Sequence, residues 1–351
     1  MIKVGIPRAL SYYQHYPMWR TFFEELGAET VVSPLTTRGA LAAGAARVVA
    51  ETCLPAKVFC GHCAALGQGV DFIFIPSVKS VERQVYNCSK FVGLPDLVRQ
   101  TSRDIAPIVD IEIDINLGIR HVRSEIHQVG RQFTRLPWKI DKALDRALSV
   151  DREYQGIMRG GLTPPEAIAR LFPDQPYRPS SVRMTGTVSE GSRQLVVALI
   201  GHPYNIYDEF VNHNLVGRLR AMNLKLVTPE MISLEGLNEG IAALVDKPYF
   251  TFEREVVGAG GYYLNGDVDG IINVVAFGCG PDSLMADVVT RAARRQLNKP
   301  LMNITIDEHT AEAGMVTRLE AFVDMLHRRI TRRLKERGQE CVSILESTLD
   351  L

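Results

Sequence analysis

Val196-Val197-Ala198-Leu199-Ile200-Gly201-His202-Pro203 is a short apolar run closed by glycine and proline, and the chain opens on a similar phrase, Val4-Gly5-Ile6-Pro7. After each comes a Tyr-containing turn and then a helical pattern. In the first half the helix is expected from Tyr16 to Leu26, stopped by Gly27; in the second it is expected from Asp208 to Met222. A second strand follows each, Thr30-Val31-Val32-Ser33-Pro34 against Lys225-Leu226-Val227-Thr228-Pro229. Farther on, Val70-Asp71-Phe72-Ile73-Phe74-Ile75 corresponds to Val268-Asp269-Gly270-Ile271-Ile272-Asn273-Val274. Pro7 precedes Asp71 by 64 positions and Pro203 precedes Asp269 by 66. The segments 107–114 and 300–307 close the two series with identical spacing.

Short apolar strands alternating with helices read as parallel α/β units with right-handed crossovers. The expected architecture is α/β, with two doubly wound parallel-sheet domains of the flavodoxin/Rossmann-like kind facing each other across a cleft. Residues 1–115 form the first and residues 194–351 the second, with a C-terminal helix. Residues 116–193 change to charged helical stretches and then to a passage through Pro176, Pro179 and Gly186, which reads as a helical insert followed by a linker. At 351 residues the chain suits two domains better than one.

Lys plus Arg and Asp plus Glu number 40 each, so the electrostatic footprint of a nucleic-acid binder is missing. The basic stretch from Arg328 to Arg337 alternates with apolar residues and reads as a solvated helix face. No stretch approaches the roughly 20 apolar residues of a membrane span. The N-terminus starts on a strand rather than a signal segment, so a cytoplasmic protein is expected. In that compartment six cysteines read as metal or redox residues rather than disulfides.

Three of them share a chemistry. Cys53 lies in Thr52-Cys53-Leu54-Pro55, Cys88 in Tyr86-Asn87-Cys88-Ser89 and Cys279 in Phe277-Gly278-Cys279-Gly280-Pro281. These are turns or helix starts, where unpaired N–H groups stabilise thiolates and cluster sulfides. Ligands of open α/β sheets bind beyond the carboxyl ends of strands, and Cys88 and Cys279 follow corresponding strands. Three soft donors from two halves suggest an iron–sulfur cluster with one iron left open. The plain alternative is three unrelated loop or core cysteines.

Cys60 and Cys63 flank His62 in a C-x-x-C, but they fall inside the helix beginning near Pro55, with Cys60 about 10 Å along the axis from Cys53. They read as buried helix cysteines, with extra cluster ligands, a second metal or dithiol chemistry as alternatives. Cys341 reads as incidental. His202 and Tyr204 in the turn 201–208 can donate protons or orient a ligand, or can simply belong to a capped turn around Asn205 or Asp208. Glu308 and His309, just after the last strand, suit acid–base work or a solvated loop. No phosphate loop occurs, and Gly258-Ala259-Gly260-Gly261 lacks the preceding strand of a dinucleotide fingerprint. Those glycines read as close helix packing or a turn, and the chain is not expected to hydrolyse ATP or hold NAD by itself.

The runs 5–10 (Gly-Ile-Pro-Arg-Ala-Leu), 51–59 (Glu-Thr-Cys-Leu-Pro-Ala-Lys-Val-Phe) and 91–96 (Phe-Val-Gly-Leu-Pro-Asp) carry a family likeness. So do 201–208 (Gly-His-Pro-Tyr-Asn-Ile-Tyr-Asp), 277–283 (Phe-Gly-Cys-Gly-Pro-Asp-Ser) and 306–314 (Ile-Asp-Glu-His-Thr-Ala-Glu-Ala-Gly). Together they resemble the acyl-CoA dehydratase activase-related proteins, kin of the 2-hydroxyacyl-CoA dehydratase and benzoyl-CoA reductase subunits. The resemblance implies two α/β domains clamping a [4Fe-4S] cluster through Cys53, Cys88 and Cys279, with a double-cubane [8Fe-9S] cluster as the alternative. It also implies an ATP-hydrolysing activase that delivers low-potential electrons, a possible acyl-CoA substrate, and pairing as a homodimer or heterodimer. Outside that resemblance stand two other classes, a two-domain small-molecule-binding module and a zinc-stabilised scaffold.

Overall fold

The computed structural model describes residues 1–177, 193–248, 250–295 and 299–349, with side chains to residue 332. Two four-stranded, all-parallel sheets organise it. The first contains β1 (Lys3–Ile6), β2 (Glu29–Val32), β3 (Phe72–Ser80) and β4 (Ile108–Asp114), in the order β2-β1-β3-β4. The second contains β5 (Val196–Gly201), β6 (Lys225–Val227), β7 (Gly270–Ala276) and β8 (Leu301–Ile306), in the order β6-β5-β7-β8. The strand order reverses between β1 and β3 and between β5 and β7, and a crevice opens beyond the carboxyl ends of the strands at such a point.

The duplication goes down to single hydrogen bonds. Asp71, just before β3, accepts the Lys3 N–H at 2.7 Å, and Asp269, just before β7, accepts the Val196 N–H at 2.8 Å. Each aspartate therefore fixes where its first strand meets its third. The two halves also repeat a helix pair. The helices Arg38–Ala45 and Leu54–Leu66 lie so close that a Cβ on Gly44 would run into the Lys57 carbonyl and one on Gly61 into that of Ala40. In the second half, Leu234–Leu244 and Glu253–Asn265 meet the same way through Gly240, Gly258 and Gly261. The glycine cluster 258–261 is thus a packing surface.

Helix boundaries depart from expectation in two places. The first helix spans Tyr12–Glu25 and runs through Pro17 instead of starting at Tyr16. Pro17 has no N–H for the Tyr13 carbonyl, which normally leaves a helix kinked or broken. Here the Tyr154 hydroxyl donates to that carbonyl at 2.5 Å, from the helix Pro137–Arg159 of the insert. In the second half the helix covers only Leu215–Ala221. Asp208 Oδ1 takes the N–H groups of Phe210 and Val211, both at 3.1 Å, and Asn214, at φ 56°, caps the helix start by accepting the Gly217 N–H. Side chains that capture backbone donors in this way hold a turn against helix extension.

The insert helices Ile119–Gly130, Pro137–Arg159 and Pro164–Leu171 pack on the first half, and Ile140, Ala143, Ala147 and Tyr154 join its core. The expected linker beyond Pro176, with Pro179 and Gly186, lies outside the described residues. One apolar cluster runs from Val4 to Leu326 through both halves, so the two sheets share a core across their seam. Hydrogen bonds stitch the same seam: the Tyr13 hydroxyl donates to the Tyr207 carbonyl at 2.9 Å, and Gln14 Nε2 donates to Glu255 at 3.2 Å. Among the described residues no helix is long and apolar enough to cross a membrane. Arg328 and Arg332, in the helix Glu312–Leu349, are exposed, as a solvated face requires.

Tyr154→Phe should cost about 1–3 kcal/mol in urea unfolding, because it strands the buried Tyr13 carbonyl. In a Pro17→Ala background, where residue 17 supplies its own N–H, the same change should cost clearly less. Equal costs in the two backgrounds would show that Tyr154 does not replace the bond lost at Pro17.

Candidate functional site

Each of the three cysteines opens a helix. Cys53 immediately precedes Leu54–Leu66, Cys88 precedes Ser89–Val92, and Cys279 precedes Gly280–Arg295. Their carbonyls close the first turns, accepting from Ala56 and Lys57, from Phe91 and Val92, and from Ser283. All three are free thiols of intermediate exposure.

The halves bring them together by two reciprocal contacts. Gly278, at φ +78°, lies against the backbone of Cys53. A Cβ there would stand 3.3 Å from the Cys53 Cα, so a side chain at 278 is strained by the positive φ and crowded by the other half. Across the seam, residues 250–254 of the second half dock on the loop that leads to Cys88. Phe250 bridges to Tyr86, the Thr251 N–H donates to the Tyr86 carbonyl at 2.8 Å, and the Phe252 and Phe91 rings lie 4.8 Å apart. Arg254 completes this contact by pairing with Glu82.

The electrostatics confirm the gathering. Burial pushes the Cys53 thiol up, and the nearby Cys88 adds to the rise. Burial raises Cys88 as well. Cys279 is raised far, by burial first, then by Asp282, with Cys53 and Cys88 contributing. The N–H groups of the helix starts pull the other way, Ala56 on Cys53, Phe91 and Lys90 on Cys88, and Asp282 on Cys279. The backbone donors thus act in the expected direction, and desolvation and mutual repulsion outweigh them. Among the described residues no group of three or more His, Cys, Asp and Glu side chains is arranged to hold a metal ion.

Tyr204 joins the site. It is buried, lies within the electrostatic reach of all three thiols, and stacks on His202 with ring centroids 5.0 Å apart. His202 is also buried, and its Nε2 stands 3.8 Å from Asp282 Oδ1. Burial lowers the His202 pKa, against a smaller upward pull from Asp282. Burial raises Asp282, so this pair tends toward its neutral forms. Glu308 is committed elsewhere: it takes the Lys57 ammonium at 2.5 Å and so braces the helix that Cys53 starts. His309 is exposed, and its N–H donates to Asp307.

Two acids escaped sequence reasoning. Asp282, fully buried, carries a weak signal as the acid three residues after Cys279 at a helix start. Glu253 carries none, since Phe252-Glu253-Arg254-Glu255 reads as a charged, solvated helix start. It is 4% exposed, and burial pushes its pKa up to about 7. A mostly apolar cavity of about 430 Å³ between the first helix, the insert and β3–β4, with Asp141, Asp145 and Asp151 in its wall, includes none of the cysteines.

The family described as CoA enzyme activase uncharacterised domain matches residues 3–232, about two thirds of the chain. The match includes Cys53 and Cys88 and ends before Cys279. No curated protein matches the chain.

The C-x-x-C helix does structural work. Cys60 and Cys63 are fully buried in the core, and burial raises both thiols, Cys60 to about 11. His62 between them bonds Ser33 at Nδ1 and Thr36 at Nε2, both at 2.8 Å; because the Thr36 proton goes to Asp208, Nε2–H donates to Thr36 and Nδ1 accepts from Ser33. The Thr36 hydroxyl in turn donates to Asp208 across the seam. The Cys341 side chain lies outside the described residues.

Burial lowers His62 from 6.5 to about 4 and raises Asp208 from 3.8 to about 6. The contribution of His62 is complete above pH 6.5 and is lost as pH falls through 4. That of Asp208 is complete below pH 3.8 and is lost as pH rises through 6. Between pH 4 and 6 the two slopes oppose one another. His62→Gln should therefore gain stability on acidification from pH 6 to 4, and Asp208→Asn should lose it, each by up to about 1.4 kcal/mol per pH unit relative to the parent. Urea midpoints measured across pH 4–7 test this, and parallel profiles for parent and variants would refute it.

Proposed function

The chain belongs to the CoA enzyme activase uncharacterised domain family, and on that premise we propose that Cys53, Cys88 and Cys279 hold a [4Fe-4S] cluster. Held there, such a cluster would supply one-electron chemistry, with an ATP-hydrolysing activase as the donor and an acyl-CoA substrate or a partner subunit as the acceptor. The observation that carries this reading is the convergence of three thiols from two halves, sealed by the contact of Gly278 with Cys53.

The donor set fits the group. Soft sulfur ligands select iron–sulfur clusters or zinc, and a cubane takes one thiolate per iron. Its ligands therefore stand farther apart than those of one ion. Cys60 and Cys63, packed in the core of the same helix, favour one cubane over the double-cubane alternative. When bound, the cluster supplies one-electron chemistry at low potential.

The chain's own residues set the conditions. Each helix start turns N–H groups toward a cysteine, offering the sulfurs donors once the protons have left. Burial raises the pKa of both Asp282 and Glu253, Glu253 to about 7, and so opposes negative charge on these two carboxyls. Burial of an anionic site still opposes the arrival of an electron and holds the potential down. An energised electron donor is then needed, which suits an ATP-hydrolysing partner. His202, between Tyr204 and Asp282, is placed to hold or pass a proton to that carboxyl as charge changes.

Protein purified without oxygen and reconstituted with iron and sulfide should be brown, with about four irons per chain and broad absorbance at roughly 400 nm. Cys53→Ala, Cys88→Ala and Cys279→Ala should each lose most of the iron, while Cys60→Ser, Cys63→Ser and Cys341→Ala should keep it. Iron-free, colourless parent protein would overturn the proposal. It would favour a small-molecule-binding role for the cavity of about 510 Å³ lined by Arg8, Tyr12, Tyr13, Tyr207 and Asp208.

A further inference from the structure

Three cysteines leave one corner of a cubane without a protein thiolate, and the duplication directs attention to one segment of the second half. Cys88 and Cys279 occupy matching places, after β3 and β7. Cys53 opens the helix Leu54–Leu66, whose counterpart is Glu253–Asn265, also of 13 residues. Both helices pack through glycine against the preceding helix, so they are equivalent in position as well as in length. The cap position equivalent to Cys53 is therefore Phe252, and Glu253 is the first residue of the helix beside it.

The reciprocal contacts put that place at the site. The Cys279 loop touches Cys53 through Gly278, and the Cys88 loop touches residues 250–252 through Tyr86 and Phe91. Glu253 lies within the electrostatic reach of Cys88 and also senses Asp282, which adjoins Cys279. Its side chain is 4% exposed, and Oε2 is buried with no hydrogen-bond partner. The neighbouring cation cannot neutralise it, because Arg254 is held by Glu82 and Asn238. A buried carboxylate oxygen without a partner is costly, and a metal ligand bond is one of the few ways to satisfy it.

We infer that Glu253 fills the fourth corner, its carboxylate binding the iron that no cysteine reaches. The inference rests on the three-cysteine cluster proposed above. It makes the site asymmetric, with three thiolates that hold the cluster and one harder, more readily displaced oxygen ligand at the iron where an incoming oxygen donor can bind. On ligation the carboxyl proton is released to solvent, and no electron moves.

The test uses full-length parent, Glu253→Gln and Glu253→Cys, reconstituted anaerobically with the exchangeable iron enriched in the Mössbauer isotope. Iron content and circular dichroism establish that each variant is folded and carries a cluster. On mild ferricyanide oxidation, Glu253→Gln should shed the fourth iron at least about 10-fold faster than the parent, giving the electron paramagnetic resonance signal of a three-iron cluster. Glu253→Cys should retain the iron and move its Mössbauer isomer shift toward that of the thiolate-bound irons. Parent and both variants losing iron at one rate, with one unchanged labelled-site spectrum, would overturn the Glu253 assignment while leaving the three-cysteine cluster intact. A parent that takes up no iron would overturn both.

Discussion

Gly278 lies against the backbone of Cys53, and much of the molecule can be understood as what that contact requires. The loop after β7 must turn through a positive φ and pass within van der Waals distance of a helix start in the other half. A residue without a Cβ meets both conditions without strain. The partner surface must hold still, which explains why the helix behind Cys53 is buried on nearly every side. Glycine contacts clamp it to the preceding helix, the ion pair of Lys57 with Glu308 ties it across the seam, and His62 anchors it to Ser33 and Thr36. Because the three cysteines come from two halves, the site exists only while the seam is closed.

The fold was largely legible because it is written twice. Strand positions, the near-equal spacing from Pro7 to Asp71 and from Pro203 to Asp269, and the strand endings all followed from comparing one half with the other. The structure gives that spacing a cause, since each aspartate binds the first strand of its own sheet. What the sequence concealed was long-range satisfaction of local deficits. Pro17 looks like a helix breaker until Tyr154, 137 residues later, supplies the missing donor. Asp208 looks like a helix start until its carboxylate is seen holding a turn.

The cysteines were legible for a related reason: glycine and proline beside a thiol mark a backbone shaped around it. Glu253 had no such mark. A charged residue at a helix start is the commonest solvated feature of a sequence, and only the docking of the other half buries this one. Cys60 and Cys63 show the converse. Their spacing is that of a metal motif, but a helix with apolar residues on all sides turns both into core.

Desolvation also decides the chemistry of the site. In water a thiol beside a helix N-terminus loses its proton more easily, whereas here burial and the proximity of three like groups reverse the balance. On the cluster proposed above, the site becomes anionic only when a cationic core displaces the thiol protons. The backbone donors at the three helix starts matter after that exchange, because they face sulfurs that carry charge. On the inference drawn above, the carboxylate of Glu253 in place of a fourth sulfur would keep the geometry of the pair of halves and give one corner a different affinity. A break in symmetry of that kind leaves undisturbed the contacts that hold the three cysteines, because Gly278 against Cys53 and residues 250–252 against Tyr86 and Phe91 do not involve the carboxyl.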